Sequence, residues 1–269
     1  MRIQHPDVTV VIPTRNEAKN LPHVARRMPD GIAEIIVVDG NSTDDTKQVA
    51  GSLWPRARII DQTRKGKGNA LACGFAAARG QIIVMIDADG STDAAEIPMF
   101  VQSLCDGADF AKGSRFTYRG GSSDITRLRR LGNLGLNTIV NRMYTAAFTD
   151  LCYGYNAFWR HCLPIIGLPD PALGAPQWGD GFEVETLMNI RVAQAGLRID
   201  EIASYERDRI HGESNLNAVS DGIRVLRTIF DERSARSQPD RSASDGTFRE
   251  RFAASLPGPD LTAQAGQSA

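Results

Sequence analysis

Little in this sequence favours one charge, one redox state or a membrane interior. Lys and Arg number 31 against 32 Asp and Glu, a formal charge of -1, so no bulk excess draws the chain to nucleic acid, and no base-reading pattern accompanies its basic residues. Cysteine is scarce: Cys73, Cys105, Cys152 and Cys162 fit neither a small disulfide scaffold nor a tight zinc spacing, and read as small buried hydrophobes in a reducing compartment. No run reaches the ~18 uninterrupted apolar residues of a spanning helix. The segment from Met1 to Asp7 has no apolar core of a secretion signal. A cytoplasmic location is expected, with peripheral contact at the cytoplasmic membrane face left open. Two phosphate-binding signatures are missing as well. No GxGxxG follows the first strand, which disfavours a dinucleotide fold, and no GxxxxGK[ST] occurs, which disfavours an ordinary ATPase. No internal repeat is found.

What is present is an alternation of two hydrophobic periods. Val8 to Ile12, Ile35 to Val38, Arg58 to Ile60, Ile82 to Ile86 and Asp109 to Lys112 are short apolar runs that read as strands. Between them, Leu21 to Met28, Thr43 to Leu53, Gly68 to Arg79 and Ala94 to Leu104 read as helices, the second with Ser42 or Thr43 as N-cap. This spacing predicts an α/β fold with a mostly parallel central sheet flanked by helices. The later chain is mixed: a helix with one polar edge over Leu128 to Phe148, a strand over Tyr153 to Trp159, a proline-rich loop over Leu168 to Trp178, a helix over Phe182 to Ala195, a strand over Leu197 to Tyr205, and an amphipathic helix over Leu216 to Phe230. Residues 1–232 are expected to form a single domain in two halves, about 1–115 and about 116–232. Residues 233–269, rich in Ser, Ala, Asp, Pro and Gly, read as a flexible C-terminal tail.

In such sheets ligands bind beyond the carboxyl ends of the strands, and polar clusters stand there. Asp87-Ala88-Asp89 cuts off an apolar strand; two carboxylates so placed suit a hard divalent ion that bridges phosphates, while an acidic turn capping the next helix through Thr92 or Asp93 is the plainer alternative. Asp39-Gly40-Asn41-Ser42-Thr43-Asp44 offers a carboxylate to a ribose or base, or makes only an Asx-type turn. Arg64-Lys65-Gly66-Lys67-Gly68-Asn69 is a basic, glycine-rich loop before a helix, suited to phosphate through Lys65 and helix-end amides. Asp180-Gly181-Phe182-Glu183-Val184-Glu185 opens a later helix; Asp180 or Glu183 is a base for a hydroxyl acceptor, or else the two form an N-cap and its capping box.

Taken in order, Val10 to Glu17, Ile36 to Asp44, Lys65 to Ala70, Asp87 to Gly90, Gly113-Ser114-Arg115 and Arg209-Ile210-His211-Gly212-Glu213-Ser214 resemble the family 2 glycosyltransferases of GT-A fold, and within them most the dolichol-phosphate mannosyltransferase and polyprenyl-phosphate glycosyltransferase group. The resemblance implies inverting, Mg2+- or Mn2+-dependent transfer of a sugar from GDP-mannose or a UDP-sugar to a polyprenyl or dolichyl phosphate. A soluble glycosyltransferase acting on a small hydroxyl acceptor is the alternative, and a non-catalytic nucleotide-sugar-binding protein a further one. It implies Pro13, Arg15, Glu17 and Asp39 at the nucleoside, Asp87 and Asp89 at metal and diphosphate, and Arg115 and Arg209 at the phosphates. Arg129, Arg130 and Asn133 are its candidates for the acceptor phosphate, together with the segment that holds His211 and Ser214. Two positions depart from the group: Ser91 stands where many members have glutamine, and Asn215 where many have lysine.

Overall fold

The computed structural model describes residues 6–212 and 218–236. In chain order its elements are β1 (Val8–Thr14), α1 (Leu21–Arg27), β2 (Glu34–Asp39), α2 (Thr46–Leu53), β3 (Arg58–Asp61), α3 (Lys67–Ala77), β4 (Ile82–Met85), α4 (Ile97–Cys105), β5 (Phe110–Ser114), β6 (Gly121–Ser122), α5 (Arg127–Tyr144), β7 (Asn156–Trp159), α6 (Leu163–Ile166), α7 (Val184–Gln194), β8 (Ile199–Ala203), β9 (Tyr205–Glu206) and α8 (Ala218–Arg236). The main sheet runs β3-β2-β1-β4-β7-β5-β8, and β6 pairs with β9 in a two-stranded ribbon. β1 is parallel to β2 and β4, β2 to β3, and β5 to β8. The expected α/β architecture, a mostly parallel sheet flanked by helices, is the one observed.

The continuous apolar runs of β1, β2 and β4 are explained by burial on both faces. Val11, Ile36, Val38, Ile83 and Met85 pack with α3 and α7 on one side, whereas Val10, Ile12, Val37, Ile82 and Val84 pack with Leu21, Val24, Phe100 and Leu104 on the other. A smaller core of Val140, Tyr144, Leu151, Ile190, Val225 and Ile229 joins α5, α7 and α8.

Three expectations are corrected. The second helix starts at Thr46, not Thr43, because the polar residues before it bind elsewhere: Ser42 Oγ accepts the Asn16 amide at 2.9 Å, and Asp44 accepts the amides of Ala18 at 3.2 Å and Thr46 at 3.1 Å. The strand expected from Tyr153 pairs only from Asn156 onward and runs antiparallel to β4 and β5. Of the four cysteines, Cys73 and Cys162 are buried but Cys105 and Cys152 are exposed; all four are free thiols. Asp93, by contrast, does cap, its carboxylate accepting the Ala95 amide at 3.0 Å. The last amphipathic helix is seen from Ala218 to Arg236; its expected start at Leu216, and residues 237–269 of the expected tail, lie outside the described residues.

Candidate functional site

A cleft of about 1180 Å³ opens at the carboxyl ends of β1, β2 and β4. Pro13 to Glu17 line it after β1, Gly40 after β2, Gln62 after β3, and Asp87, Ala88, Asp89 and Ser91 after β4. The opposite wall comes from the later chain: Leu128, Arg129 and Leu136 of α5, Phe182 and Glu185 at the start of α7, Arg209, and Val225 of α8.

Both acids of the strand-end pair face this cleft, and each meets a cation. Lys67 Nζ lies 2.6 Å from Asp87 Oδ1 and 2.8 Å from Glu185 Oε1. Burial alone would lower the pKa of that ammonium; the charges of Asp87 and Glu185 more than reverse it and hold Lys67 charged. Asp89 Oδ2 lies 3.2 Å from Arg209 Nη2, and its other oxygen accepts the Ser91 amide at 2.9 Å. Arg209 also reaches Glu17 Oε1 at 3.0 Å, so one guanidinium ties the segment after β9 to the loop after β1. Burial pushes the Glu17 carboxyl up, and the hydrogen bond from Asn20 and the charge of Arg209 only partly oppose this.

Among the described residues no group of three or more His, Cys, Asp or Glu side chains converges as a metal cage. Two hard carboxylates at one strand end still suit an ion such as Mg2+, which keeps water and draws its remaining oxygens from substrate phosphates. Asp87 and Asp89 are the residues that fit that role.

The other expected site residues divide. Pro13, Arg15, Glu17 and Lys65 line the cleft. Asp39 does not: it is fully buried, with one carboxylate oxygen accepting the Ser42 amide at 3.0 Å and lying 3.7 Å from Lys47 Nζ. Its neighbours Gly40 and Gln62 form the cleft surface in its place. The amides at the start of α3, expected to be free for phosphate, are taken, since Gly68 N and Asn69 N donate to the Asp180 carbonyl at 2.8 and 3.2 Å. Arg115 borders the cleft, but its guanidinium is committed to structure: Nε and Nη2 donate to Asp150 at 2.7 and 2.9 Å, and Nη1 to Glu206 at 2.9 Å. Three of the five N–H donors of this buried guanidinium are thereby taken up by carboxylates of the protein itself.

Glu183 is likewise corrected as a base. It is fully buried, accepts the amides of Gly179 and Gly181 at 2.9 and 3.2 Å, and pairs with Arg224 Nε at 3.3 Å. Asp180 is held by Arg64 at 2.8 Å through two nitrogens. Neither lines the cleft; Glu185 does, and it escaped the sequence reading because two residues along a helix turn a side chain to another face. On α5, Arg129 pairs with Asp124 at 2.8 Å and Asn133 donates to Asp150 at 3.1 Å, both at the cleft margin. Arg130 points away, over the Phe116 ring at 5.3 Å. His211 is exposed, its ring 5.8 Å from that of His23, and does not line the cleft. Glu213, Ser214 and Asn215 lie outside the described residues.

The family model described as glycosyl transferase family 2 matches residues 9–163. Glycosyltransferase AglJ of Haloferax volcanii is 31% identical over 83% of this chain and 71% of its own length. An uncharacterized glycosyltransferase of Mycobacterium tuberculosis is 33% identical over 78% of this chain and 89% of its own. Among solved structures, glucosyl-3-phosphoglycerate synthase from M. tuberculosis, in complex with Mn2+, UDP and glucosyl-3-phosphoglycerate, superposes with a TM-score of 0.64 at 25% identity, covering 85% of this chain and 80% of that one. A complex of the same enzyme with Mg2+ and UDP gives 0.65 at 25% identity, with the same coverage. The ions expected from the sequence, Mg2+ or Mn2+, are those bound in these complexes. The expected likeness to the polyprenyl-phosphate group is overturned, and with it the lipid-phosphate acceptor: the two solved complexes just described are of an enzyme named for a small phosphorylated sugar product, glucosyl-3-phosphoglycerate. No helix among the described residues is long and apolar enough to cross a membrane.

Proposed function

The chain belongs to glycosyl transferase family 2, and on that premise we propose that it moves a hexose from a UDP-sugar, glucose foremost, to a hydroxyl group of a small phosphorylated acceptor. The observation that carries this reading is the meeting of Lys67 with Asp87 and of Arg209 with Asp89 in one cleft at the strand ends. Four alternating charges there suit a diphosphate and its ion. The likeness to the synthase bound to Mn2+, UDP and glucosyl-3-phosphoglycerate supports the donor and the acceptor class.

In this reading Asp87 and Asp89 hold Mg2+ or Mn2+, which supplies charge neutralisation for the departing nucleoside diphosphate. Arg15 and Lys65, both exposed at the cleft, face the nucleotide. The acceptor oxygen forms a bond to the anomeric carbon as the bond from that carbon to the diphosphate breaks, with inversion. The hydroxyl proton goes to a carboxylate, and Glu185 is the acid of its segment that lines the cleft. The cationic flank of Lys67 and Arg209 stabilises the negative charge that grows on the leaving group. The residues of about 1–115 serve mainly the nucleotide, and those of about 116–232 the acceptor.

Transfer is tested by incubating the protein with UDP-glucose, Mn2+ and a panel of phosphorylated hydroxy acids that includes 3-phosphoglycerate, with UDP-galactose and GDP-mannose as competing donors. UDP release coupled to a glycosylated acceptor is expected. No product with any pair would sink the proposal.

A peripheral contact with an anionic membrane face has separate support on α5. Leu128, Leu131 and Leu134 are 68%, 67% and 62% exposed, and the exposed Arg127 and Arg130 lie among them in sequence. Cosedimentation with phosphatidylglycerol vesicles measures it.

A further inference from the structure

Arg64, Asp180 and Glu183 do not line the cleft, yet they stand in a closely hydrogen-bonded polar group next to it. Asp180 takes two parallel hydrogen bonds from Arg64 at 2.8 Å each and one from the Gln177 amide at 2.8 Å. Arg64 sends its remaining nitrogen to the carbonyls of Asp170 at 3.0 Å and Leu173 at 2.7 Å. The Asp180 carbonyl receives the first free amides of α3, and Glu183 fixes the turn around it by accepting from Gly179 and Gly181. The backbones are in direct contact: a Cβ on Gly66 would stand 2.0 Å from the Asp180 carbonyl oxygen, and one on Gly68 1.8 Å from that of Gly179. Glycine at both positions is what allows this approach.

Between those two glycines sits Lys67, the first residue of α3. Its ammonium joins Asp87 on β4's end to Glu185 on α7. Any shift of the 177–183 segment therefore moves the backbone from which Lys67 projects. We propose that Asp180 is a positioning residue for the donor site: latched to Arg64 and to the start of α3, it sets the place where Lys67 meets Asp87. This rests on the reading that Asp87 and Asp89 face the donor diphosphate. It gives the Asp180 to Glu183 segment a role on the donor side, in place of the proton transfer that its acids suggest in sequence.

The test measures UDP binding in the presence of Mn2+ by titration calorimetry on the full chain. Removing one partner of a buried ion pair strands the other, so both charges are removed together in the double variant Arg64→Met, Asp180→Asn. A thermal melt checks folding, and Arg64→Lys, which keeps the charge but loses the planar fork, reads the same constant independently. UDP affinity should fall ~10-fold, as when the support of a metal-site residue is lost. Because the effect runs through Lys67, adding Lys67→Met to the double variant should weaken binding no further than Lys67→Met alone. Losses that multiply would overturn the proposal, as would unchanged UDP affinity with a lower kcat, which would place Asp180 at the acceptor. If wild-type protein bound neither UDP nor GDP with Mn2+, the donor-site reading itself would fall, an outcome distinct from both.

Discussion

The guanidinium of Arg209 lies 3.2 Å from Asp89 and 3.0 Å from Glu17, bridging the strand end of β4 and the loop after β1. The second acid of the Asp87-Ala88-Asp89 pair is thus already charge-compensated from the far part of the chain. A diphosphate with its ion entering here meets a site whose positive and negative groups are in place, so binding consists largely in exchanging partners.

Asp89→Ala should lower turnover by at least ~10–100-fold, the range found for loss of metal-site support, with more expected for a direct ligand. Steady-state UDP release with saturating Mn2+ measures it. Wild-type rates in that variant would remove Asp89 from the metal.

Glu185→Gln separates base from binding. If Glu185 takes the acceptor proton, kcat should drop by ~100-fold or more, with UDP affinity held within a few-fold. Glu183→Ala should act instead on folding, because it leaves the Gly179 and Gly181 amides and Arg224 without their partner, at a cost of ~1–3 kcal/mol in chemical denaturation. A loss of rate in the Glu183 variant at unchanged stability would restore it as the base.

The position of the cleft-lining strand ends is legible in the sequence for a physical reason. Strands buried on both faces are continuous apolar runs, so their abrupt ends near Thr14, Asp39 and Asp87 mark the rim on which the cleft opens. What was not legible depends on distant partners. Arg115 reads as a residue with its donors open to a phosphate, whereas Asp150 and Glu206 take three of them. Asp39 reads as an open ligand group, whereas it is fully buried with Oδ2 bound to the Ser42 amide and Oδ1 without a hydrogen-bond partner among the described residues. Lys67 and Glu185 stood inside the right motifs, but their meeting at 2.8 Å spans more than half the domain, and no local pattern encodes it.

Glu17 gives a pH dependence of defined sign. Its folded-state pKa is raised by burial, so the folded chain binds a proton there more readily than the unfolded one. The stability tied to this group is present below the unfolded pKa and is lost as pH rises through the folded value. Glu17→Gln, fixed in the neutral form, should gain Tm relative to wild type at about pH 7, with a smaller gain at about pH 4. Scanning calorimetry at both values checks it; a gap independent of pH would contradict the assignment.

Leu128→Glu together with Leu131→Glu tests the exposed face of α5. Both side chains are solvent-facing, so stability should stay within ~0.5 kcal/mol per site, while any cosedimentation with anionic vesicles should disappear. Equal vesicle binding by wild type and variant would rule out this face.

The order of the sheet bears on how such a protein is re-engineered. β7, from the later half, is spliced between β4 and β5 of the earlier half and runs against both. Residues 1–115 are therefore not an exchangeable cassette: a chimera that grafts them onto the later half of another such protein must also import a compatible β7, or β4 and β5 lose the strand that joins them. Under the proposed function, a change of acceptor preference is better attempted on α5 and α8, whose side chains reach the cleft without belonging to the sheet.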